Sequence, residues 1–347
     1  MGKYVLKRIA YMLVVLLVLS IIMYMIYSLV PSNRAYTDAM NEIKALKNIL
    51  PAGQAEEKFE ELYLQYQRKY GTDTDSMFHR YLRWVGIAPL YDGSFNGLLQ
   101  GNFGFSYEYN KPVVEVIQQP MLNTIKINIW ATVLALGITI PLGIHTAVKK
   151  GSKLDQSVQI FTILGYSMPT FLISILFIWI FCSKLNLFPP SGMKTPGSNY
   201  VGLRKSLDEL YYMALPLIVM TFSSLGSMTR YVRASMADAL SMDCIRTARA
   251  KGVREKVVIY SHAFRNALIP IVSLVVGWFL GIFGGSLVIE DMFAINGMGK
   301  LMITSLRTAD YEVVLLMQMF YVFISLFGNL LIDIVYGMVD PRVRVNN

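Results

Sequence analysis

Charge is scarce in this sequence. Asp, Glu, Lys and Arg make up 16% of its 347 residues and apolar residues 54%, whereas a soluble domain carries about 25% charge. A water-soluble globular protein is therefore not expected. Cysteine is nearly missing: Cys182 and Cys244 fall at the end of an apolar run and in a basic loop, so they form no disulfide framework. The three histidines, His79, His145 and His262, lack ligand spacing, and no metal site is expected. A phosphate-binding G-x-x-x-x-G-K-[ST] loop is also absent. Gly299-Lys300 imitates its end, but Ala294 replaces the first glycine and Leu301 the hydroxyl residue. With no visible nucleophile, base and orienter cluster, the chain itself is not read as an enzyme.

Long uncharged runs are what the sequence has instead. Ile9 to Val30 holds no charged residue, enough to cross a hydrocarbon layer of roughly 30 Å as a helix. Five more runs follow, at Ile127 to Val148, Val158 to Phe181, Tyr211 to Thr229, Ala267 to Ile289 and Val313 to Ile332. Backbone in lipid must satisfy its own hydrogen bonds, so each run is predicted to be helical. The fold class is an all-α integral membrane protein with six transmembrane helices. The first run is too long for a signal-peptide core and lacks a small-x-small cleavage site, so it reads as a retained helix.

The net charge of +9 is a topology signal. Sixteen of the 32 basic residues flank the runs on the side shared by both termini, and six lie in the two short opposite loops. This bias places both termini in the cytoplasm and requires no nucleic-acid partner. The predicted divisions are residues 1–30, a terminus with the first helix; 31–123, an extracytoplasmic insertion; 124–340, a five-helix core; and 341–347, a tail.

Within the insertion, Asp38 to Leu50 reads as an amphipathic helix with Ile43, Leu46 and Leu50 on one face, broken by Pro51-Ala52-Gly53. Glu56 to Tyr70 resumes helical spacing, Ser76 to Val85 reads as a third short helix, and Gly93 to Asn110 as loop or short strand. Such length is unusual for a mere connection, which suggests a docking surface. On the cytoplasmic side, the loop 234–266 contains a predicted short helix. Ser241 is its candidate N-cap, Asp243 stands in its first turn, and Gly252 is its left-handed terminus. Pro270 is expected to mark the start of helix five. The result is a stiff elbow joined to two membrane helices.

Arg246-Thr247-Ala248-Arg249-Ala250-Lys251-Gly252, followed by His262-Ala263-Phe264-Arg265-Asn266-Ala267-Leu268-Ile269-Pro270, resembles the EAA loop of bacterial ABC importer permeases. It is most similar to the dipeptide, oligopeptide and nickel branch, in which Arg replaces the name-giving Glu, as Arg246 does here. The likeness continues through Tyr81-Leu82-Arg83-Trp84, Gly101 to Ser106, Lys150 to Asp155, Ser167 to Phe171 and Asp340 to Arg344. Asn296-Gly297-Met298-Gly299 departs from the branch's usual Pro-Gly-x-Gly. The long segment after helix one resembles a B-type oligopeptide permease subunit. The resemblance implies a bacterial cytoplasmic-membrane complex with a second, C-type permease, two cytoplasmic ABC ATPases and an extracytoplasmic peptide-binding protein. It implies no cofactor on this chain, ATP and Mg on the ATPases, and Arg246 to Gly252 as the ATPase-coupling residues. A nickel or other small-solute importer of the same branch is the alternative.

The centres of the six runs hold no Asp, Glu, Lys, Arg or His. Proton-driven carriers usually bury such groups as relays, so a secondary transporter is disfavoured, and a receptor would need a cytoplasmic signalling domain. Candidate pathway-lining residues are Ser223, Ser224 and Ser227 on helix four, and Gly277 and Gly281 on helix five. Gly285 continues the latter spacing, and close packing through small residues is the competing reading. Pro141, Pro169 and Pro216 are expected to bend their helices.

Overall fold

The computed structural model describes residues 2–29, 34–46, 55–70, 76–90, 93–106 and 108–339. They are overwhelmingly helical, with one two-stranded antiparallel pair, Phe105–Ser106 (β1) and Lys111–Pro112 (β2). Among the described residues four helices are long and apolar enough to cross a membrane, and two bent pairs bring the number to as many as six. The chain divides into two compact units, residues 1–116 with 304–322, and residues 117–303 with 323–347.

In the first unit, α1 (Gly2–Leu29) carries α4 (Met77–Val85) on its side. The Ser20 and Tyr81 hydroxyls share a hydrogen bond of 2.7 Å, and Tyr24 meets the Tyr81 ring edge-on. Ser76 caps α4 through its hydroxyl, and Gly86 ends it at φ +91°, a conformation glycine adopts without steric cost. The predicted helix from Asp38 appears as α2 (Arg34–Leu46), while Leu50 and the Pro51–Gly53 break lie outside the described residues. α3 (Ala55–Tyr70) packs on α2, with Tyr66 donating to Glu42 at 2.7 Å. The β1 strand is tied to the later chain: Phe105 N–H donates to Glu312 at 2.6 Å and the Ser106 hydroxyl donates to Asp310.

α5 (Val113–Val148) starts in the first unit, ten residues before position 123, and continues as the first helix of the second. α6 (Lys153–Ser167) and α7 (Thr170–Phe177) cover most of the run expected from Val158 to Phe181, broken at the proline expected to bend it. They bend by 105° at Met168-Pro169, because a residue before proline is driven to extended backbone and Met168 adopts ψ 132°. Pro141 and Pro216 instead lie inside continuous helices, Pro216 in α8 (Gly202–Ser241).

The predicted loop 234–266 is mostly helical. α8 runs on to Ser241, followed by α9 (Asp243–Ala250), α10 (Glu255–Val257) and a π-helical turn, Val258–Ala263, that enters α11 (Phe264–Gly281). Pro270 lies within α11 and not at its start. α11 also stops at Gly281, short of the expected Ile289. Its terminal carbonyls need partners, and Asn128 of α5 supplies them by donating to Ile282 O and Gly284 O at 2.9 Å each. The short helices α12 (Leu287–Met292) and α13 (Met298–Arg307) then lead to α14 (Tyr311–Val339). The tail 341–347 lies outside the described residues.

Candidate functional site

The segment from Arg246 to Gly252 forms a short exposed helix with one buried foot. Ile245 is fully buried among Val232, Met236 and Ala239 of α8, Val258, Ile259 and Ala263 of the π turn, and Ala267 and Ile271 of α11. Ala248, one turn along, is half-buried against the same cluster. Spacing of three between apolar positions puts both on one helix face. Arg246, Thr247, Arg249, Ala250, Lys251 and Gly252 are exposed. A displacement of α9 therefore bears directly on two long helices through side chains packed like a protein interior.

The two ends of α9 are held differently. Met242, not Ser241, occupies the N-cap and offers no side-chain bond, while the Ser241 hydroxyl turns back to Asp238 O at 2.7 Å. α8 simply continues through Ser241, so serine bonds within it. Asp243 lies in the first turn of α9, where a negative charge complements the helix dipole. At the far end Gly252 has φ +73°, and its N–H reaches Arg249 O at 3.0 Å. Beyond this turn Arg249 holds Glu255 with bonds of 3.2 and 2.7 Å. Both groups are about half exposed, so the pair sets direction more than stability.

Two polar joints are not predicted from the sequence. Arg233 on α8 bonds Asp155 through Nε to Oδ1 at 2.7 Å and Nη2 to Oδ2 at 2.8 Å. The Asp155 side chain is 1% exposed, and it also accepts from Gly151 N–H and Gln159. The second joint is Glu290 in α12, buried just past the expected end of the fifth apolar run. It accepts from the Thr124 hydroxyl at 2.8 Å and from Lys300 N–H at 3.0 Å, and Thr124 in turn receives Met298 N–H at 2.8 Å. Gly297 and Gly299 are required here, since an added Cβ would fall 2.4 Å from the Glu290 carboxyl carbon or 2.7 Å from Leu287 N. The Asn296 to Gly299 turn thus wraps a carboxylate. Its glycines are visible in the sequence, but their target is not.

The expected lining residues separate. Ser223 and Ser224 turn their hydroxyls onto carbonyls of their own helix, at 3.0 and 2.8 Å. Ser227 is exposed, with only a long bond to Ser224 O. Gly277 and Gly281 face open space, with nothing within 4 Å of the point a Cβ would occupy, whereas Gly285 lies against the backbone of Gly299. Gly226 is a packing glycine: its Cβ would meet Thr162 O at 2.5 Å. Among the described residues no group of His, Cys, Asp or Glu has metal-ligand geometry.

Comparison with known proteins agrees with this architecture. Residues 139–345 match the family of binding-protein-dependent transport system inner membrane components. The oligopeptide transport system permease protein AppB of Bacillus subtilis is 34% identical over 281 residues, 81% of this chain and 84% of that protein. The dipeptide transport system permease protein DppB of Lactococcus lactis is 30% identical over 99% of this chain and 100% of its own. A chain of the methionine ABC transporter MetNI, solved in inward-facing conformations, shares the fold. Its TM-score is 0.50 at 14% identity, over 65% of this chain and 98% of that one. The chain is a multi-pass membrane protein and belongs to the family of binding-protein-dependent transport system inner membrane components.

Proposed function

We propose that this chain is a permease subunit of an ATP-driven peptide importer, lining half of the translocation pathway and coupled through α9 to cytoplasmic ATPases. The observation that carries the reading is the exposed helix anchored by Ile245 to both α8 and α11. A motor that grips the exposed face moves both long helices, because a packed core transmits displacement instead of absorbing it. The peptide cargo rests on the names of the relatives, oligopeptide and dipeptide permeases in two organisms.

In this reading both termini and α9 face the cytoplasm, and the membrane is a bacterial cytoplasmic membrane. The partners are a C-type permease, two ABC ATPases holding ATP and Mg, and an extracytoplasmic peptide-binding protein. The chain supplies no hydrolytic chemistry of its own. Ser227, Gly277 and Gly281, open within this chain, are proposed to face the pathway or the second permease. Ser223 and Ser224 would line it only weakly, since each hydroxyl is already used.

The test is Gly252→Pro or Ala248→Glu in the assembled transporter. The first removes the N–H that closes the turn at Arg249 O, and the second forces a charge toward the Ile245 cluster. Both are expected to abolish peptide uptake and peptide-stimulated ATP hydrolysis while membrane insertion persists. Normal uptake by correctly inserted variants would refute the proposal.

A further inference from the structure

We propose that Glu255 is a positioning residue of the transport stroke: with Arg249 it forms a strut that ties the far end of α9 to α11, so that Arg249 is engaged within this chain and not by the motor. The inference rests on the reading of α9 as the surface a motor grips, and it says which basic residue does not do the gripping. The helix is joined to its two long neighbours unequally. Met242 alone separates α9 from α8, whereas the four residues Lys251 to Arg254 separate it from α10, and Gly252 among them has φ +73°. A push on α9 thus reaches α8 along nearly continuous backbone, but must cross a turn to reach α11.

Ile245, Ala248 and Val253 hold this turn down on the buried cluster, but apolar contact is non-directional and does not by itself fix the angle of α9. The Val253 N–H donates to Ala248 O at 3.2 Å, which closes the turn on itself and fixes nothing beyond it. Asn266 of α11 also reaches α9, at the Cys244 sulfur, yet at 3.8 Å and to a weak acceptor. The fork of Arg249 is the stronger tie: Nε donates to one Glu255 oxygen at 3.2 Å and Nη2 to the other at 2.7 Å. Paired bonds of this kind set orientation as well as separation. Glu255 opens α10, which passes without a break into the π-helical turn and α11, so the far end of the strut moves with α11. Arg246 is the opposite case. It meets Asp243 through one contact of 3.5 Å, with side chains 74% and 95% exposed, and its guanidinium stays available to a partner.

The test uses the full assembly reconstituted in vesicles, with peptide moved and ATP hydrolysed counted together. Glu255→Gln is expected to lower the peptide moved per ATP about two- to fivefold, the most a half-exposed pair contributes to a conformational preference. The melting point and the KM for ATP should stay unchanged. Arg249→Glu alone should lower the ratio as well, and the reversed pair, Arg249→Glu with Glu255→Arg, should restore it. A motor contact at Arg249 would leave the reversed pair as poor as Arg249→Glu, and a merely structural role would shift the melting point. Either result, or a normal ratio in Glu255→Gln, would overturn the assignment while the motor reading stands. A wild-type assembly that retains no nucleotide hydrolase would end that reading, and the strut's role with it, before any variant is made.

Discussion

Arg233 of α8 holds Asp155, at the start of α6, by two parallel bonds of 2.7 and 2.8 Å with the carboxylate almost wholly out of solvent. α6 thereby follows α8 at the end nearest α9, and the movement proposed for α9 has a third helix to carry. Arg233→Ala leaves a buried charge without its cation and is expected to cost roughly 3–5 kcal/mol. Arg233→Lys should recover only part, because an ammonium cannot form the fork. Thermal unfolding of the purified assembly measures both. An unchanged melting point in Arg233→Ala would show that the joint bears nothing.

The close approach of α6 and α8 predicts a steric limit at Gly226. A Cβ there would sit 2.5 Å from Thr162 O and 2.7 Å from Tyr166 Cβ, and backbone cannot yield as a flexible side chain does. Gly226→Val is expected to destabilise by about 1–3 kcal/mol. By contrast, Gly277→Ala, where space is open within the chain, should leave the stability of the isolated subunit within about 0.5 kcal/mol. Melting curves of the two variants side by side separate the cases.

Foot and face of α9 should behave differently. Ile245→Ala empties a fully buried position and is expected to cost about 2–5 kcal/mol. Thr247→Ala and Lys251→Ala, on the exposed face, should leave the melting point nearly unchanged while lowering peptide-stimulated ATP hydrolysis. Full hydrolysis in both surface variants would detach that face from the motor.

Glu290 supplies a pH dependence. Burial pushes its carboxyl above the ordinary glutamate value of 4.5, against the opposing donation of Lys300 N–H and the Thr124 hydroxyl. The folded protein then keeps a proton that the unfolded chain releases, so stability falls as pH rises above about 4.5 through that window. Glu290→Gln, which retains an acceptor and cannot titrate, should flatten this part of the wild-type profile. Unfolding midpoints taken across mildly acidic pH compare the two slopes, and parallel slopes would deny Glu290 the effect.

Much of this architecture is legible because the membrane imposes one period and one length on each span. The uncharged runs overlap the four long apolar helices and the two bent pairs found among the described residues, and Gly252 declares its left-handed turn. Runs of apolar residues do not report direction, however. Pro169 announces a bend but not its 105°, and the halt of α11 at Gly281 depends on a tertiary partner, Asn128, which accommodates the released carbonyls. Pairings across long separations are invisible for the same reason. Asp155 lies 78 residues from Arg233, and Thr124 lies 166 from Glu290, so neither carboxylate signals its partner in the local sequence. Ser241 misleads because a good N-cap residue also bonds well inside a helix, and nothing local marks α8 as running on.

The most direct measurement uses a native cysteine. Cys244 is exposed on α9, beside the proposed coupling residues. In a Cys182→Ser background, the intact assembly isolated from its own membrane is treated with a short bifunctional maleimide, and the joined chains are identified by mass spectrometry. The account predicts a link between Cys244 and a nucleotide-hydrolysing subunit, in a yield that changes when ATP is trapped. Complete labelling of Cys244 by a monofunctional reagent, with no hydrolase joined to it, would contradict the claim that a motor grips this helix.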